Sequence, residues 1–245
     1  RSSAASDVYK RQERSTFRIS ARPYRRSEWI VGAIHTCARH ELALVDLCTV
    51  TRPGRSHETS IGLAEALPRL DQLHTQAAER APSPFETYLR ARLAGERCSP
   101  WLDAFPLYSV LDMARIVGAV SVHGTGVTLD ALDVDETRMA EAAGFDTLRH
   151  GEDGLRTLLA DLQEKFRVQR FAWGPRAMFG RLYEWLAHET RDPVYEPVRQ
   201  VMMDHFHSTL PVGARHTMFG RNFDGRRLHS CLLYTSDAAD DLLCV

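Results

Sequence analysis

Cys37-Ala-Arg-His40 sets a thiol and an imidazole three residues apart. From that spacing one tight turn can deliver both donors to a single Zn²⁺ ion. Tetrahedral zinc takes four ligands, so the pair is half of a site; Cys48 is a third candidate, with His35 and His57 weaker ones. The competing reading is two ordinary side chains without metal. Asp204-His205-Phe206-His207 also has metal-ligating residue types. However, histidines two apart on a helix point to different faces, so the pair reads as helix-end cations or exposed side chains. His123-Gly124-Thr125-Gly126 lacks the third glycine and the preceding strand of a dinucleotide loop and reads as a turn after a buried helix. Asp133, Asp135 and Glu136 fall at a helix start, where acids complement the helix dipole. The sequence holds no nucleophile elbow, phosphate loop or H-E-x-x-H motif. No catalytic residue emerges, and the expectation is a protein that is not an enzyme.

Residues 215–230, RHTMFGRNFDGRRLHS, interleave basic and aromatic side chains. Such a run can track a nucleic-acid backbone, or serve as a solvated linker into a further domain. The composition allows either. The 245 residues carry 31 Lys+Arg against 32 Asp+Glu and are 44% hydrophobic, which excludes collagen-like, bulk-disordered and strongly basic coating proteins. No apolar run reaches the roughly 20 residues of a membrane-spanning helix.

Elements that could position these residues are mostly helical. Leu63, Leu67, Leu70, Leu73 and Ala77 recur at helical spacing across 63–80, with Pro68 predicting a split or kink. Ser83 as N-cap and Pro84 as first residue predict a helix over 84–93, before Gly95. Further helices are predicted over 103–120 (buried), 133–143 (ended by Gly144), 152–166, 175–188 and 195–207. Residues 29–50 form an irregular region with short strands around the Cys and His residues, and the polar stretch 51–60 is the expected boundary. The predicted fold is mainly α, a multi-helix domain preceded by a small module.

The two ends read differently from the middle. SSAASDVYKRQ at 2–12 and CLLYTSDAAD at 231–240 can be encoded by opposite strands of one stretch of DNA. They resemble a sequencing-library adapter translated at both ends of a fragment. Residues 1–12 and 231–245 are therefore expected to be adapter-derived. What remains has 28 basic and 28 acidic residues, with Lys165 its one lysine and Cys37, Cys48 and Cys98 its cysteines. Three cysteines without a signal-peptide pattern argue against a secreted disulfide scaffold, and a cytoplasmic location is expected.

Three stretches together resemble the TniQ transposition-accessory family. The first is Glu28-Trp29 followed by Thr36-Cys37-Ala38-Arg39-His40-Glu41-Leu42, similar to the second half of that family's zinc module, where C-P-x-H-G is usual; here Ala38 replaces Pro and Glu41 replaces Gly. The second is Phe179-Gly-Arg-Leu-Tyr-Glu-Trp-Leu186 with Arg191-Asp-Pro193 and Pro197-Val-Arg199. The third is Thr209-Leu-Pro-Val-Gly213 with Phe219-Gly220 and Arg226-Arg-Leu-His-Ser230. The resemblance implies a partial, zinc-ribbon-like module at 13–55 and a helical TniQ-like domain at 56–230. Cys37 and His40 would be two ligands of a structural zinc, with a C-x₂-C pair expected before Glu13, so the site is incomplete in this chain. It further implies a non-catalytic role in target-site selection for DNA transposition, with DNA and an AAA+ regulator or transposase as partners and no membrane. Arg226 and Arg227 are the expected DNA contacts. The alternative is an all-α protein-interaction or regulatory module without DNA contact.

Overall fold

The computed structural model describes residues 26–44, 66–69, 72–73, 75, 77–167, 174–209, 217–219 and 221–222. The chain divides into two compact units, Arg1–Asp103 and Ala104–Val245. The expected mainly α character is observed: six helices carry most of the described residues.

The first described element of the first unit is a 3-10 turn, Ser27–Ile30, which buries Trp29. Strands β1 (Thr36–Cys37) and β2 (Leu42–Ala43) form an antiparallel hairpin in the register Thr36↔Ala43, Cys37↔Leu42. Two residues per strand cannot hold a hairpin in water, so its stability comes from elsewhere. Residues 78–80 run along β2, with Ala43 N–H donating to Ala78 O (2.9 Å) and Arg80 N–H to Glu41 O (2.7 Å). Pro68 lies in a 3-10 turn, Leu67–Arg69, so the helical spacing around it is interrupted as its ring predicts. Helix α1, Pro84–Leu93, has the bounds its caps predict. Ser83 Oγ accepts from Glu86 N–H (3.1 Å) and Glu86 Oε2 accepts from Ser83 N–H (2.9 Å), a reciprocal capping box. Trp29, Ile34, Cys37, Phe85, Leu89 and Leu102 are buried in this unit.

In the second unit, helix α2 (Leu107–His123) packs most extensively on α3 (Val134–Leu148). Helix α3 does not end at Gly144, as expected from sequence, but runs through it to Leu148. The reason is a close helix crossing. A Cβ on Gly144 would lie 1.9 Å from Ala114 O, and one on Gly118 would lie 1.7 Å from Ala140 O. These glycines are spaces for backbone approach rather than terminators. Helix α4 (Gly151–Arg167) packs on α3, on α5 (Pro175–Glu184) and on α6 (Glu196–Thr209). The core lies among them, with Met113, Leu148, Leu155, Leu159, Phe179, Leu182 and Leu186 fully buried. Each such leucine contributes about 1.5–3 kcal/mol by burial.

The helix expected over 175–188 is α-helical only to Glu184 and continues as a π-helical turn, Trp185–Glu189, closed by Thr190 N–H on Trp185 O (3.0 Å). Inside α5, Gly180 is non-helical (φ 44°, ψ −119°), and the next N–H, of Arg181, donates to Thr125 O (2.8 Å). His123 ends α2, and Gly124 (φ 87°) turns the chain into this loop, as expected for His123–Gly126. A 3-10 turn, Pro193–Tyr195, precedes α6, and a short hairpin pairs β3 (Thr217–Met218) with β4 (Arg221–Asn222).

Candidate functional site

The hairpin turn of the first unit brings Cys37 and His40 together. Cys37 ends β1, and the N–H groups of His40 (3.2 Å) and Glu41 (2.8 Å) both donate to its carbonyl, winding the chain into one tight turn. Glu41 closes the turn in the left-handed region, φ 51°, where a Cβ is unfavourable and glycine is the usual occupant. The result is a Cys37 Sγ to His40 Nδ1 distance of 3.5 Å, with the cysteine fully buried. Zinc bonds of about 2.3 Å to sulfur and about 2.0 Å to nitrogen at a tetrahedral angle place two such donors about 3.5 Å apart. The same distance lies within S–H···N reach, so the pair also stands without metal. It supplies two of the four donors a structural zinc takes. Among the described residues no group of three or more His, Cys, Asp or Glu side chains could hold an ion. Cys48 and His57 lie outside the described residues.

Helix α1 fixes the hairpin in place. Glu86, 1% exposed, accepts from Ser83 N–H through one carboxylate oxygen and from His35 N–H (2.6 Å) through the other. One turn on, the Arg90 guanidinium donates to Thr36 O, next to Cys37, and lies 4.0 Å from the Glu28 carboxylate. A second network anchors the far end of α1. Arg92 donates to Asp103 (3.0 Å), to Tyr88 OH (2.7 Å) and to Leu102 O (3.1 Å), while Tyr88 OH and Ser99 N–H donate to Asp103 (3.0 and 2.8 Å). Burial opposes ionisation of Asp103, but the Ser99 N–H, the Tyr88 hydroxyl and Arg92 outweigh it and hold the carboxyl below its usual range. Burial foremost, opposed by the Arg92 hydrogen bond, pushes the Tyr88 hydroxyl up to about 12.

Other candidates in the sequence are absorbed by packing. His205 is buried on α6, with Nε2 2.8 Å from Gln163 Oε1 and its ring edge-on to Phe179 at 6.0 Å. Burial, then the nearby Arg156 charge, lowers its pKa. Asp133 caps α3 in a second reciprocal box with Glu136 (2.8 Å each way). The stretches 179–186, 191–193 and 197–199 form one packed piece. Arg199 donates to Leu186 O (3.0 Å), Asp192 O (3.1 Å) and Thr190 O (2.8 Å), satisfying carbonyls left over where the π turn ends. At the start of the basic, aromatic run, Met218 is fully buried and Phe219 packs on Tyr183 at 5.5 Å. That part of the run is anchored to the second unit rather than solvated. Arg226 and Arg227 lie outside the described residues.

The sequence reading missed Glu86, Arg90, Arg92 and Asp103. Glu86 carried a local signal, the S-x-x-E spacing from Ser83; the others act on residues whose proximity depends on the folded chain. No helix among the described residues is long and apolar enough to cross a membrane. No known family model, curated protein or solved structure matches the chain.

Proposed function

We propose that the chain belongs to a non-catalytic, TniQ-like accessory protein of DNA transposition that acts in target-site selection by binding DNA and a protein partner, an AAA+ regulator or transposase. The observation that carries the reading is the Cys37–His40 turn, with its 3.5 Å donor pair and left-handed Glu41 at the position where the family has glycine. In this reading the first unit is a zinc-ribbon-like module, and Cys37 and His40 are two ligands of a structural zinc. The metal would cross-link a hairpin too short to hold itself. Glu86 and Arg90 support it from behind, on α1. Arg226 and Arg227 supply phosphate contacts, which position a protein on DNA without reading sequence.

Fluorescence anisotropy with duplex DNA at rising salt tests the DNA half of the proposal. The expected result is salt-dependent binding, with Arg226→Ala/Arg227→Ala lowering the slope of log K against log salt by about 2. Affinity and slope unchanged by the double substitution would remove these residues from the account. One feature favours the second reading, a protein-interaction module without DNA contact: Val134 (67% exposed) and Met139 (48%) present apolar surface on α3. That reading predicts no salt-dependent DNA binding at all.

A further inference from the structure

The thiol and imidazole of the Cys37–His40 turn hang from three successive residues of main chain, and one helix grips two of them. The N–H of His35 donates to Glu86 Oε1 (2.6 Å), and the carbonyl of Thr36 accepts from the Arg90 guanidinium. The third grip is internal: the Cys37 carbonyl takes the N–H groups of His40 and Glu41 and so fixes imidazole relative to thiol. We propose, on the zinc reading of this turn, that Glu86 and Arg90 are the positioning residues of the metal half-site. Through His35 and Thr36 they seat Cys37 and His40 before a metal binds, and metal binding in turn orders α1.

Glu86 and Arg90 lie four apart, on one face of α1. A glutamate and an arginine at that spacing commonly pair with each other. Here each is turned instead to a main-chain group just before Cys37. Neither placement comes free. Glu86 is 1% exposed, and its carboxylate accepts from the main-chain N–H groups of Ser83 and His35. The Arg90 side chain is 15% exposed; Glu28, 4.0 Å from its Nε, also lies 3.6 Å from Arg26. Two guanidinium nitrogens of Arg90 have no hydrogen-bond acceptor among the described residues. Burying a cation this way is costly, and an apolar side chain would fill the space more cheaply. What arginine adds is its grip on Thr36 O.

The need for that grip follows from the hairpin. Two residues per strand cannot hold their own position. A tilt of β1 would move both donors as a pair, and a four-ligand site needs them fixed relative to the other two, within about 0.2 Å. Coupling of this kind is reciprocal: contacts that favour metal binding are favoured by the metal.

Zinc affinity, read by competition with a chromophoric chelator, and amide exchange test this on the reduced protein carrying the C-x₂-C half of the site. Zinc should slow exchange across 84–93 as well as 35–44, and leave 107–148 unchanged. Arg90→Met should weaken zinc about tenfold or more and abolish the protection of 84–93. Arg90→Lys keeps a donor for Thr36 O and should recover most of the affinity. Asp103→Asn separates positioning from general loosening, because Asp103 anchors the far end of the same helix through Arg92 and Tyr88. It should change zinc affinity less than about twofold. A wild-type protein that binds no zinc sinks the zinc reading and this proposal together. Zinc binding that survives Arg90→Met, that Asp103→Asn weakens equally, or that leaves exchange in 84–93 unchanged overturns the positioning role alone. Unfolding of α1 in metal-free Arg90→Met also overturns it, since Arg90 would then be a residue of the fold.

Discussion

The two units solve the same problem of holding short elements together by different means. In Ala104–Val245, helices meet across an apolar interior, and at Gly118 and Gly144 they meet backbone to backbone. Among the described residues of Arg1–Asp103, the elements are a hairpin of two-residue strands, a few turns and one ten-residue helix, and charged side chains reach across to main-chain groups. Strands of two residues cannot hold themselves, so this hairpin depends on such polar clamps, or, in the zinc reading, on a metal cross-link. The difference says where the proposed zinc would matter: its loss should loosen the hairpin unit and leave the helical one intact.

The largest effect that would sharpen this contrast is at the helix crossing. Gly118→Ala or Gly144→Ala puts a methyl group inside van der Waals range of a backbone carbonyl that cannot rotate away. We expect a loss of ~4 kcal/mol or more in urea unfolding. Amide exchange should accelerate across 107–148 and remain slow in α1. Acceleration confined to α1 would break the comparison. Asp103→Asn comes next. It leaves the Arg92 guanidinium, 15% exposed, without its anion and should cost about 3 kcal/mol. Here exchange should accelerate in α1 and not in α2 or α3.

The pH response of the helical unit is smaller and has a definite sign. His205 is held neutral by burial, so its folded pKa lies below the unfolded value near 6.5. The stability it contributes is present above pH 6.5 and lost as pH falls through the folded pKa. The melting midpoint should therefore drop on acidification below that point, and His205→Gln should flatten the drop. A midpoint that rises on acidification would contradict the buried, neutral histidine.

Local signals made part of this fold legible in advance. Ser83 and Pro84 specify the start of α1 because a cap acts within four residues, and Gly124 marks a turn for the same local reason. Gly144 reads as a helix terminator in sequence because its purpose lies on another helix, at Ala114, and nothing within its own stretch records that approach. The π turn after Glu184 was illegible likewise, since its free carbonyls are satisfied by Arg199 from α6. At the candidate site the closeness of Cys37 and His40 could be read from spacing alone. Its supports, Glu86 and Arg90, reach it over 51 and 54 residues of sequence.

The account's central claim is that Cys37 and His40 are zinc ligands rather than an ordinary buried pair. Cobalt(II) titration of the reduced protein carrying the second, C-x₂-C half of the proposed site tests it most directly, because a thiolate bound to cobalt gives a charge-transfer absorption that free cysteine lacks. The account predicts such a band, displaced by zinc and lost in both Cys37→Ala and His40→Ala, with the far-ultraviolet helix signal unchanged. Absence of the band, or a band that survives either substitution, would contradict it.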